Sequence, residues 1–103
     1  MKSKYEIEMN FQDAVNQAQA LEEASAGLAK IAGNNIPWAL SAIASSWRGE
    51  NAAAYIGKGE KMSDEIMSLA DNLYSVAREI RFTAGAIYKA EIAALNCIPE
   101  SLW

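Results

Sequence analysis

The side chains able to carry chemistry are few, and their spacing does not favour it. Histidine is absent, which removes the commonest general base near neutral pH. The paired carboxylates, Glu22 with Glu23 and Asp64 with Glu65, are direct neighbours; on a helix such side chains diverge by about 100° and form solvated faces rather than an acid–base couple. Gly57-Lys58-Gly59 shares its residue types with phosphate-binding loops, but no strand precedes it and the rest of the loop signature is missing. Inside a helix, these glycines thin the surface and let another helix approach. Cys97 is the single cysteine, so no internal disulfide forms, and no Cys and His set can close a structural zinc site. It reads as a small apolar residue or incidental thiol, with an intermolecular bridge as the alternative. The sequence predicts no catalytic residue, metal or cofactor, and therefore not an enzyme.

What must position the remaining residues is set by composition. Of 103 residues, 51% are hydrophobic and 21% charged. One domain is expected, since a second would lack the chain for its own core. Lys and Arg total 9 against 13 Asp and Glu, a net charge of -4, which argues against phosphate backbones and thus against nucleic acid as a partner. The opening residues lack the apolar run of a secretory signal, because Glu6 and Glu8 interrupt it. Nowhere do about 18 apolar residues run together without a charge, so no stable membrane span is expected. The acidic balance also opposes attraction to anionic lipid, which disfavours a membrane-active effector.

The periodicity is helical throughout. Ile7, Phe11, Ala14, Ala18, Leu21, Ser25, Leu28 and Ala32 alternate at four and three residues and share one stripe. Two starts fit this helix: Ser3 with Glu6 as a capping box, or Asn10 with Asp13. At Gly33-Asn34-Asn35-Ile36-Pro37 a kink or break is expected, with Pro37 opening a further segment through Leu40 and Ile43. The second half repeats the alternation through Met62, Ile66, Leu69, Leu73, Val76, Ile80, Thr83, Ile87, Ala90 and Ala94, a helix of about 40 residues and roughly 60 Å. Such a helix needs a partner along its length.

Between the halves, Ser45-Ser46-Trp47-Arg48-Gly49-Glu50-Asn51 supplies a terminating glycine and caps. The expected fold is all-α: an antiparallel helix-turn-helix hairpin of two long helices. Helix one covers about 4–45 with its interruption near 33–37, the turn about 46–50, helix two about 51–96, and a flexible tail 97–103. The hairpin or dimer core is expected from Phe11, Leu21, Leu28, Met62, Ile66, Leu69, Leu73, Val76, Ile80 and Ile87. A second row, Met67, Ala70, Tyr74, Ala77, Ala84 and Tyr88, is left over, and exposed apolar area of that size marks an interface. Pairing into a four-helix bundle dimer follows.

Trp47-Arg48-Gly49 in the turn, with Tyr55 eight residues after the tryptophan, a length near one hundred and the early aromatic Phe11, resembles the WXG-hundred (ESAT-like) family of small type VII secretion substrates from Gram-positive and related bacteria. The likeness spans nearly the whole chain in architecture and residues 47–55 in motif. It implies a hairpin that pairs with itself or a sister protein and is exported while folded by a membrane ATPase, without a Sec signal. Such proteins serve virulence or interbacterial competition, and a larger toxin is a further partner. In the family, the turn tryptophan joins a C-terminal Tyr-x-x-x-Asp/Glu of the partner chain in a composite export signal, so Trp47, Gly49 and Tyr55 are the candidate motif. This sequence departs from the second half: Tyr88 is followed by Glu91 at three residues, and Ile92 holds the acidic position. Either Tyr88 and Glu91 are a variant signal, or the partner supplies it; the second is favoured, because one residue rotates a helical side chain by about 100°. The tail, Cys97 to Trp103, leaves the helix at Pro99; tails of this kind in the family dock on the secretion ATPase, while the alternative, a merely frayed end, is favoured here. The competing reading is a cytoplasmic coiled-coil adaptor, or a chaperone for a larger toxin, with no export of its own.

Overall fold

The first helix starts where Ser3 can cap it. In the computed structural model, which describes residues 2–98, the Ser3 hydroxyl oxygen accepts the Glu6 N–H at 3.1 Å and its carbonyl accepts the Ile7 N–H at 3.0 Å. The first is the side-chain cap, which satisfies one of the unpaired donors of a helix N-terminus; the second is the first bond of the helix itself. Of the two starts open to the sequence the chain uses Ser3; Asn10 lies inside helix α1, Lys4–Lys30.

At the glycine, asparagine and proline cluster the helix widens and does not break. Ile31–Asn35 form a π turn in which the Ile36 N–H donates to the Ile31 carbonyl, five residues back, and helix α2 continues over Ile36–Ser46 with Pro37 in its first turn. In an unbroken α-helix the Pro37 ring would meet the Gly33 carbonyl and remove one hydrogen bond. A π turn absorbs both defects without a change of direction into left-handed backbone: among the described residues only Gly49 has positive φ.

Helix α2 stops because Trp47 turns extended, at φ -130° and ψ 125°, while its N–H still donates to the Ile43 carbonyl at 2.8 Å. Gly49 then reverses the chain at φ 113°, a region that a side chain disfavours. Its carbonyl accepts the Ala53 N–H at 3.1 Å and opens helix α3, Glu50–Asn96, 47 residues long. The fold is all-α, with no strand among the described residues. Helix α3 ends at Cys97, whose N–H donates to Ala93 and Ala94 at 3.2 Å. The tail from Pro99 onward, for which ATPase docking is one expectation, lies outside the described residues.

The chain divides into two compact units, Met1–Leu21 with Ser75–Trp103, and Glu22–Tyr74. In the first, Lys2 reaches Glu91 and Phe11 meets Tyr88, so the start of α1 runs antiparallel to the end of α3. In the second, Ser25 bonds to Ala70, Ser63 to Ala32 and Leu40 overlies Gly59; this order makes Glu22–Tyr74 an antiparallel hairpin around the Trp47 turn.

Within each unit the buried positions of the seam are mostly small. In the first unit Ala18 and Ala77 are fully buried and Ile7 and Leu95 nearly so, and in the second Ala32, Ala52, Ala70 and Ser25 are buried. Phe11, Leu21, Leu28, Ile66, Leu73 and Ile80 stand half-buried beside them, whereas Met62, Leu69, Val76 and Ile87 are exposed. The reason is separation: alanine and serine facing each other let two backbones approach closely, and larger side chains then fit only on the flanks. Ala70 in one unit and Ala77 in the other thus mark the seam face of α3, and Met62, Leu69, Val76 and Ile87 stand outside it.

Candidate functional site

The turn gathers the residues that the sequence singled out. Trp47 and Tyr55 lie with ring centroids 5.9 Å apart and planes at 57°, a tilted contact of the kind aromatic pairs favour. Trp47 is placed by the extended residue that ends α2, Tyr55 by the second turn of α3, and Gly49 by the reversal between them. Trp47 remains 46% and Tyr55 61% exposed. The tryptophan therefore shares one face with its own chain and leaves the other available.

On one side of the turn hairpin, Ile36, Leu40, Ile43, Tyr55, Gly59 and Met62 line an open groove of about 570 Å³, with Lys58 and Asn35 as its polar members. On the other side, Pro37, Leu40, Ile56, Glu60, Ser63 and Asp64 line a second depression. The two faces differ in charge. The first carries a lysine and no carboxylate; the second carries two carboxylates and no lysine. Gly59 performs the thinning expected of the Gly57-Lys58-Gly59 stretch, with Leu40 against it, while Gly57 faces open space.

Tyr88 and Glu91 lie in the other unit and are engaged with its α1 segment. The Tyr88 ring sits 4.9 Å from that of Phe11 at 42°, and Glu91 pairs with Lys2 at 3.4 Å. Beside them, Phe11, Ala14, Val76, Ile80, Thr83 and Ile87 line an open apolar groove of about 500 Å³.

Two hydroxyls cross between helices, Ser25 from the predicted stripe of α1 and Ser63, which the periodicity did not single out. Ser25 Oγ donates to the Ala70 carbonyl at 2.7 Å in a buried position, and Ser63 Oγ donates to the Ala32 carbonyl. Their signal was spacing: Ser25 stands seven residues from Ala18 and Ala32, and Ser63 seven from Ala70. Trp38, on the outer side of α2, is 75% exposed.

Among the described residues no group of three or more His, Cys, Asp or Glu side chains could hold a metal ion, and no helix is long and apolar enough to cross a membrane. The carboxylates of Asp64 and Glu65 are exposed. What the described residues present is a pair of open apolar grooves and exposed aromatic rings at Trp38, Trp47 and Tyr55. Comparison with protein families, with curated proteins and with solved structures returns no match.

Proposed function

We propose that this protein is a small WXG-type substrate or export partner of a type VII secretion system, acting by protein–protein recognition as a helical dimer. The observation that carries this reading is Trp47: a turn tryptophan tilted against Tyr55, half exposed, between two long helices. A tryptophan that only closed the end of a hairpin would gain most by full burial. Leaving one face of the indole open suits a plate that a second protein covers, and central, exposed aromatics are the usual anchors of such contacts.

The pairing surface is the row of large side chains left outside the seam, Met62 and Leu69 in one unit and Val76 and Ile87 in the other. Covering it with a second copy or a sister hairpin removes exposed apolar area. The engagement of Tyr88 with Phe11 and of Glu91 with Lys2 supports the view that the partner supplies the acidic half of the export signal. The secretion ATPase and a larger toxin are then the remaining partners.

Export tests the reading directly. Deleting the ATPase gene of the host's type VII locus is expected to remove the protein from the culture medium and retain it in cells. Undiminished secretion in that strain sinks the proposal, and a protein that never leaves wild-type cells but copurifies with a resident partner is the adaptor instead. A Trp47→Ala chain that still pairs yet is not exported separates signal from scaffold.

A further inference from the structure

Each side of the turn hairpin carries one sign of charge. On the first, Tyr55, Lys58 and Met62 follow one another at three and four residues and form a stripe of α3. Tyr55 is 61% and Met62 50% exposed, and Lys58 is the one charged member of the groove they border. On the second, Pro37, Leu40, Ala44 and Ile56 line a depression whose charged members are Glu60 and Asp64. Four residues apart on a helix, these carboxylates stand about 5–6 Å from each other at Cβ. One ammonium fits between them.

Lys58, Glu60 and Asp64 are all exposed, and among the described residues no ion pair engages any of them. Each is free to meet an opposite charge from outside. A two-fold contact sets a surface against itself, so through these sides it would bring Lys58 onto Lys58, or the two carboxylates onto the same two. Like charges so placed oppose association. Only the two unlike sides match in sign.

We propose that copies of this chain associate head to tail, the Tyr55, Lys58 and Met62 ridge of one lying in the depression of the next, with the Lys58 ammonium between the carboxylates of Glu60 and Asp64. Exposed ion pairs contribute little each, so the apolar cover of Tyr55 and Met62 by Pro37, Leu40, Ala44 and Ile56 supplies affinity, and the charges supply orientation. The contact is weak and grows with concentration. Because it joins unlike sides, every copy added leaves one side of each kind open, and the assembly continues past two. This goes beyond the reading above and does not depend on export. Met62 belongs to both contacts, whereas Leu69 belongs to the outer-row pairing alone.

Light scattering over a rising concentration series reads the contact. The full chain carries Leu69→Ser, which removes the outer-row pairing, and far-UV circular dichroism is the folding control. Its mean mass is expected to start at one chain and climb past two without levelling there. Lys58→Glu, and separately Glu60→Lys with Asp64→Lys, are each expected to hold the mass at one chain, since like signs then meet. Mixing these two variants is expected to restore growth, because every charge again meets its opposite, and that rescue shows both to be folded. A mass that stays at one chain throughout overturns the proposal. So does a mass that levels at two, growth that Lys58→Glu leaves intact, or a mixture that stays at one chain.

Discussion

Leu40 lies directly on Gly59: a Cβ added at that glycine would stand 2.5 Å from Leu40 Cδ2 and 3.3 Å from its Cγ. The neighbouring glycine two residues earlier has nothing within 4 Å. Both sit inside α3, where glycine is a poor helix former. Replacing Gly57 with alanine is therefore expected to stabilise the fold by about 0.5–1 kcal/mol. Gly59→Ala gains the same backbone term but forces Leu40 aside, at about 1–3 kcal/mol for overpacking, so its net effect is destabilising. Urea titration of the two variants gives opposite shifts in midpoint; equal shifts would deny the contact.

Phe11 and Tyr88 tie the two helical segments of their unit by a tilted ring contact at 4.9 Å. A double-mutant cycle with Phe11→Leu and Tyr88→Leu is expected to return a coupling of about 0.5–1.5 kcal/mol, the range of aromatic pairs beyond their area. The nearby Lys2–Glu91 pair, with side chains 49% and 25% exposed, behaves differently. Its cycle is expected to give less than about 1 kcal/mol and to fade with added salt.

Much of this architecture was legible before any coordinates. The four–three spacing from Ile7 to Ala32 names the inner stripe of α1, since Ile7, Ala18, Ser25 and Ala32 are buried along it, and Ser3 with Glu6 marks its start. The Trp47-Arg48-Gly49 string locates the reversal because only glycine tolerates φ near 113°. What the pattern misplaced was rotation about α3. Hydrophobicity ranks leucine above alanine, so a reading by period centres the seam on Leu69 and Val76; close packing of two backbones ranks them the other way and centres it on Ala70 and Ala77. The π turn was hidden for a related reason. Pro37 announces a disturbance but not whether the chain breaks or widens, and the Ser63 hydroxyl that meets the Ala32 carbonyl lies 31 residues from it in sequence.

Ser25 is a buried hydroxyl with one partner, the Ala70 carbonyl at 2.7 Å. Ser25→Ala keeps the seam's volume nearly unchanged and removes that bond. The expected loss is about 0.5–1.5 kcal/mol, as for an ordinary intramolecular hydrogen bond. Ser25→Val adds volume where no room exists and lacks the hydroxyl, so thermal unfolding should place it well below the alanine variant.

Leu69 and Ala70 are adjacent in sequence and opposite in role, which lets stability and association be separated. Ala70 is buried between the helices of its unit; Ala70→Leu pushes them apart, and overpacking of this kind lowers stability by about 1–3 kcal/mol. Leu69 is 49% exposed, and Leu69→Ser removes apolar area that the single chain does not cover, so its unfolding free energy is expected to change by no more than about 0.5 kcal/mol. If the outer row is the pairing surface, light scattering at matched concentration should give twice the chain mass for the unaltered protein and a single chain mass for Leu69→Ser. A Leu69→Ser chain that unfolds early, or one that keeps the doubled mass, would assign the row to the interior or to no partner at all.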